Sequence, residues 1–278
     1  MTTPRGALLM GIVNYDDAET TMRTVAEILG AHVGRIPDGE AGKRFHWIMF
    51  QPDVLGEVDG IERVGAEPIP FDAGLDARPL RIADGVEASE IALPPLGYAN
   101  AARESYPLFT RLREECVIRA GTRFQVSLPT PVAVISSFFS GDDRIAIEPV
   151  YADALLGELE EIPHEDLAVQ WDVASEMGIL EGASGCGAVM QGWWTGGALE
   201  GSSPGSLRSW TPSPWRWRSA CTSAAAMPGR STSSSPPTPR TSSGSRTPSS
   251  APSAAPRCAA PLNAPARRRI PDTPDAPG

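Results

Sequence analysis

The run Leu167-Ala-Val-Gln-Trp-Asp-Val173 decides the fold. A short apolar segment that abruptly presents Gln170 and Asp172 reads as a buried parallel strand ending in a polar mouth, because strands covered on both faces are nearly continuous in hydrophobic residues. The same unit recurs upstream. Ala7 to Val13 is apolar and of strand length, and Asp16-Asp17 then supplies an N-cap for a helix whose apolar positions are Met22, Val25, Ala26, Ile28 and Leu29, ended by Gly30. His32 to Ile36 is a second strand, closed by the turn Pro37-Asp38-Gly39, and Glu40 to Gln51 starts another helix. Strand, helix and strand with short connections make a βαβ unit.

Residues 52–100 mix Pro, Gly and acidic residues with short apolar pieces such as Pro79 to Ala83, which we read as a long decorated connection containing a hairpin. Helical periodicity returns over Ala101 to Ala120, with Tyr106, Phe109, Leu112, Cys116 and Val117 on one face, and Gly121 stops it. Phe124 to Leu128 is a third core strand, closed by Pro129-Thr-Pro131. Asp142-Asp143 caps a helix running to about Ile162, with Ile145, Ile147, Val150, Ala154, Leu155 and Leu159 inward and Glu148, Asp153, Glu158, Glu160 and Glu161 on a solvated face. Pro163-His-Glu-Asp166 turns into the strand quoted first. Four strands alternating with helices fit an α/β fold, either an open doubly wound sheet or the first half of an eight-stranded (β/α)8 TIM-type barrel. No glycine-rich phosphate loop follows any strand, which argues against a nucleotide cofactor.

Charge divides the chain. Residues 1–200 hold 14 basic and 32 acidic residues, net −18, whereas residues 201–278 hold 10 and 2, net +8. An acidic folded part argues against nucleic acid as a partner. The apolar run Gly6 to Val13 is too short to span a membrane and lacks a small-residue cleavage site, so no membrane partner is expected. Cys116, Cys186, Cys221 and Cys258 show no C-x-x-C spacing, which makes reduced thiols in a cytoplasmic protein the expectation.

From Gly201 onward there is no Val, Phe, Tyr or Lys, and such a Ser, Pro, Ala and Arg text cannot bury enough apolar area to offset chain entropy. It reads as a disordered linker or stalk, as a basic arm for nucleic acid, or as out-of-frame translation. The genetic code favours the last. A TCN serine codon read one base earlier becomes NTC, encoding Phe, Leu, Ile or Val, and the shifted frame permits VVARVAALVDAVPVEVEVGVHL, an amphipathic helix followed by an alternating strand. Trp210, Trp215 and Trp217 are also unusual in a true linker. The chain therefore divides into a partial barrel domain, 1–200, and a disordered tail, 201–278; the nucleotide sequence around codon 201 tests the change of frame.

Four blocks in order, GIVNYDDAETTMRTVAEILG, RIPDGEAGKRFHWI, FQVSLPTPVAV and IPHEDLAVQWDVASEMGILEG, resemble the uroporphyrinogen decarboxylase/cobalamin-independent methionine synthase superfamily over residues of about 7–200. The resemblance implies a (β/α)8 barrel with its chemistry at the C-terminal ends of the strands. It also implies methyl transfer, in the synthases to a thiol activated by zinc. Asp172 matches the family's strand-end carboxylate, where the synthases carry Asp-Glu-Pro; here Val173 and Ala174 follow. After the first strand the family reads Gly-Ser, and here Gly11-Ile12 stands instead.

Asp38, Glu40, Gln170 and Asp172 fall at or just past predicted strand ends, which in a barrel converge on one mouth where carboxylates bind a cationic group or act as acid or base. The plainer alternative makes Asp38 part of a tight turn and Glu40 a first-turn residue favoured by the helix dipole. We take Asp172 as the catalytic candidate and Asp38, Glu40, Gln170 and Trp171 as substrate-binding candidates. Arg44, His46 and Trp47 are placed to line the same mouth, although each reads more readily as a surface or packing residue, and His164 is assigned no role. The expected activity is methyltransferase-like, on a small molecule, absent from the chain as written. No cofactor is expected in this chain, although zinc fits an intact family member. A non-enzymatic relic and an acidic binding module with a basic arm are the alternatives, and unpaired barrel edges are expected to drive self-association.

Overall fold

A computed structural model describes residues 6–71, 74–162, 166–185 and 188–194. The expectations for His164, for Cys186 and for the tail 201–278 lie outside the described residues. In chain order the elements are α1 (Ala18–Leu29), β1 (Arg35–Pro37), α2 (Gln51–Leu55), β2 (Ile61–Arg63), β3 (Pro70–Phe71), β4 (Leu75–Asp76), β5 (Leu80–Ile82), α3 (Tyr98–Glu114), β6 (Arg123–Pro129), α4 (Pro131–Phe138), α5 (Asp143–Glu160), β7 (Leu167–Asp172), α6 (Ala174–Leu180), β8 (Ser184–Gly185) and β9 (Ala188–Val189). The fold is mixed α/β. Among the described residues no helix is long and apolar enough to cross a membrane.

β1, β6 and β7 form a parallel sheet in that order, with Arg35 opposite Arg123 and Ser127 opposite Gln170. Side chains alternate across a strand, so this register sorts the sheet into two faces. Ile36, Phe124, Val126, Leu128, Leu167, Val169 and Trp171 make an apolar face that belongs to the main core, where Phe124 and Leu128 are fully buried. Arg35, Gln125, Ser127, Gln170 and Asp172 make a polar one. The polar face carries the candidate site.

The first apolar run pairs at one point with the segment just before β1. Ala7 bridges Val33 in parallel, Leu9 and Val13 pack on the core, and Leu8, Met10 and Ile12 are exposed. The expected first core strand is thus reduced to a single bridge, with its side chains alternately covered and exposed. Asp17 caps α1 as expected: its Oδ1 accepts from Thr20 N–H at 2.7 Å and its Oδ2 from the Thr20 hydroxyl at 2.8 Å. Met22 and Val25 face the core, but Ile28, expected inward, is 67% exposed.

The connection after α2 contains the expected hairpin as a ribbon of two antiparallel pairs, β2 with β5 and β3 with β4. Its far strand is tied to α5 by the Ile82 N–H, which donates to Asp143 Oδ2 at 3.0 Å. Asp143 therefore pins β5. At the start of α5, Asp142 makes no side-chain cap, and Ile145, expected inward, is exposed.

Two expectations about α3 and α5 change more. Glu158, assigned to a solvated face, is buried and accepts from the Gly97 and Ala99 N–H groups at 3.0 and 2.7 Å. These are otherwise orphaned donors at the α3 N-terminus, so one helix caps another. Cys116 is not core: it lies exposed past the end of α3 with φ +60°, and it is disulfide-bonded rather than a reduced thiol.

Candidate functional site

Three parallel elements deliver polar groups to one end of the sheet. β1 ends at Pro37 and runs into Asp38-Gly39-Glu40, where Gly39 has φ +83° and Glu40 φ +52°. A side chain at residue 39 would meet the Thr21 side chain at 2.6 Å, which makes the glycine necessary for the turn to lie against α1. The left-handed conformation of Glu40 costs an L-residue about 1–2 kcal/mol, and it turns the carboxyl inward, against β6. There Gly11 makes room: a Cβ at residue 11 would lie 2.2 Å from Glu40 Oε1 and 2.9 Å from Ser127 Oγ.

Asp38 is buried and fully engaged. Its Oδ1 accepts from the Glu40 N–H at 3.0 Å, and its Oδ2 from Arg44 at 2.6 Å and from the Ser105 hydroxyl at 2.9 Å. Glu40 is equally buried, but its Oε1 has no hydrogen-bond partner. Burial pushes its carboxyl up to about 8; Asp172 and Asp38 add to the rise, while the Arg44 guanidinium and the Ser127 hydroxyl oppose it.

β7 contributes Gln170 and Asp172 on the polar face. Gln170 is buried, and its Oε1 accepts from Arg35 at 3.1 Å. Burial pushes the Asp172 carboxyl up to about 6, against the Gln170 amide and the Trp47 indole. The indole N–H faces this carboxyl without closing a full hydrogen bond, and both Trp47 Nε1 and Asp172 Oδ1 are buried without a partner. From β6, Gln125 donates to the Leu9 carbonyl at 2.9 Å, and its Oε1 also lacks a partner.

The structure thus brings Asp38, Glu40 and Asp172 together, with Gln170 beside Asp172. Trp171 goes the other way. Alternation puts it on the apolar face, packed against the core and on the opposite side of the sheet from Gln170 and Asp172. The expectation of a helix starting at Glu40 is replaced by a short 3-10 turn at Gly42–Arg44. Of the three residues weighed both as mouth-lining and as surface or packing residues, Arg44 and Trp47 stand at the site, whereas His46 makes edge contacts with the Phe45 and Phe71 rings. Gln125, Ser127 and Ser105 were missed. The first two had a signal, since polar residues two apart in an apolar strand mark one face.

Buried polar atoms are normally satisfied, so four orphans around one sheet end are a feature to explain, whether by a ligand or by water. Among the described residues no three His, Cys, Asp or Glu side chains come together to hold a metal ion. A surface depression lined by Glu57, Asp59 and Glu90 includes none of the site residues. Comparison with known protein families, with characterised proteins and with solved structures finds no match to this chain.

Proposed function

We propose that the chain carries the first four units of a (β/α)8 barrel of the methionine-synthase-like kind, and that Glu40 and Asp172 form the acid–base pair of its small-molecule site. The observation that carries this reading is the meeting of the buried Glu40 carboxyl and the half-buried Asp172 carboxyl, each with an unpartnered oxygen, at the C-terminal ends of β1 and β7. Strands adjacent in chain order and a segregated polar face support the barrel reading.

The two carboxyls are pushed apart in proton affinity, to about 8 and about 6. At neutral pH Glu40 holds its proton and Asp172 does not, which separates an acid from a base. In a methyl transfer the acceptor loses a proton as its bond to the methyl group forms, and Asp172 takes that proton while Glu40 protonates the departing group. The Asp172 and Glu40 oxygens also suit a primary ammonium group as acceptors. Turnover is not expected from the chain as written, because the resemblance implies that the synthases' zinc ligands come from the second half of the barrel, beyond the resembling residues, while Val173 and Ala174, standing where the synthases have Glu and Pro, argue against the synthases' own substrate.

Binding is the test, with cysteamine as a small thiol bearing an ammonium group. Calorimetry on the intact chain at pH 7 is expected to show binding that Asp172→Asn weakens tenfold or more and that Arg81→Ala, in the distant ribbon, leaves alone. Affinity unchanged in Asp172→Asn and Glu40→Gln, or no binding at all, contradicts the reading.

A further inference from the structure

Asp38 was expected to touch substrate, yet its two oxygens are occupied by the Glu40 N–H, Arg44 and Ser105. We propose that Asp38 and Ser105 are positioning residues, which hold Glu40 in its left-handed conformation and fix the Arg44 charge beside it, so that Asp38 acts through Glu40 rather than on a ligand. This rests on the reading of Glu40 as the acid of the site.

The geometry is specific. The bond from the Glu40 N–H to Asp38 Oδ1 spans two residues, the turn that an aspartate side chain makes with its own backbone. Such a turn stabilises the positive φ that Glu40 would otherwise resist. Ser105 comes from the middle of α3 and reaches the other oxygen, so the turn is tied to the helix as well as to the strand. Arg44 sits on the same oxygen at 2.6 Å, with only 17% of its side chain exposed. Held there, the guanidinium is largely neutralised and only partly offsets the burial of Glu40. The charged and titratable groups facing Glu40 are Arg44 and Asp38 from its own turn, Asp172 from β7 and Tyr98 from α3, with the Ser127 hydroxyl from β6.

A purely structural role for Asp38 would change stability and leave the proton affinity of Glu40 alone. The proposal requires that affinity to move in opposite directions in two variants. Asp38→Asn keeps an acceptor for the Glu40 N–H but removes a negative charge and frees Arg44, so the Glu40 titration midpoint falls by about one unit or more. Arg44→Met removes the opposing cation, so the midpoint rises.

Carbon-detected NMR of the intact chain labelled at glutamate carboxyls reads both shifts. If Asp38→Asn fails to fold, Arg44→Met with Ser105→Ala carries the test. Loss of the Ser105 bond loosens the Asp38 carboxylate, and the Glu40 midpoint then differs from that of the unsubstituted chain. Midpoints unmoved in folded variants overturn the proposal, as does Asp38→Asn abolishing cysteamine binding with no change at Glu40. Shifted midpoints in a chain that binds no cysteamine leave the positioning role standing and remove the ligand reading instead.

Discussion

Glu40→Gln is expected to stabilise the protein above pH 8 and to leave it unchanged near pH 4. The folded carboxyl holds its proton up to about 8, against an ordinary value of 4.5 when the chain is unfolded. Between those values the native state binds more protons than the unfolded state, so the contribution of this group is fully present below pH 4.5 and is lost as pH rises through 8. At about 1.4 kcal/mol per unit the shift corresponds to about 5 kcal/mol, and relaxation with water entry on ionisation reduces this to about 2–4 kcal/mol. Glutamine mimics the protonated carboxyl and removes the penalty. Asp172, raised from 3.8 to about 6, acts in the same direction at lower pH, although the two carboxyls are neighbours and their effects do not add. Urea denaturation of both chains from pH 4 to 9 measures the difference; a variant no more stable than the parent at pH 9 contradicts the buried carboxyl.

Gly11→Ala is the second large effect. At φ +132° an L side chain is strained before any contact is counted. The added methyl also lies 2.2 Å from Glu40 Oε1 and 2.9 Å from Ser127 Oγ, inside contact distance in a close-packed region. A loss of about 2–4 kcal/mol is expected. Because one clash is with Glu40 itself, Gly11→Ala combined with Glu40→Ala should lose less than the two single losses added together. Gly157→Ala is the control: it lies within α5 with no atom within 4 Å of the added methyl, and about 0.5–1 kcal/mol of stabilisation is expected there. Equal effects at residues 11 and 157 would show that Gly11 does not hold the site open.

The strand Leu167–Asp172 could be read from its sequence because an apolar run ending in two spaced polar residues has few other solutions, but it ends the order of the described parallel sheet, and Leu167, Val169 and Trp171 are half-buried rather than covered on both faces. The cap at Asp17 was equally local, and strand ends in a parallel sheet converge whatever lies between them, which is why Asp38, Glu40 and Asp172 were found together. Long-range pairing decided the rest. Glu158 looks like any acidic residue on an outer helix face until α3 presents two unbonded N–H groups to it. Arg44 and Trp47 reach the site through a turn whose positive φ at Trp47 no periodicity announces. α4 went unread as a helix because it is apolar nearly all round and short, although Thr130 followed by Pro131 is a cap-and-first-turn signal, and the Thr130 hydroxyl does accept from the Ala133 N–H. The place of Trp171 is legible in the same way, since the alternation that puts Gln170 and Asp172 on one face puts Trp171 on the other.

Site-resolved titration of the Glu40 and Asp172 carboxyls in the intact chain tests the central claim most directly. The account predicts midpoints near 8 and near 6, with the Glu40 midpoint falling in Asp172→Asn as like-charge repulsion is removed. Two independent titrations near 4, with Glu40 indifferent to Asp172→Asn, would show that the carboxyls neither share a buried site nor divide an acid from a base.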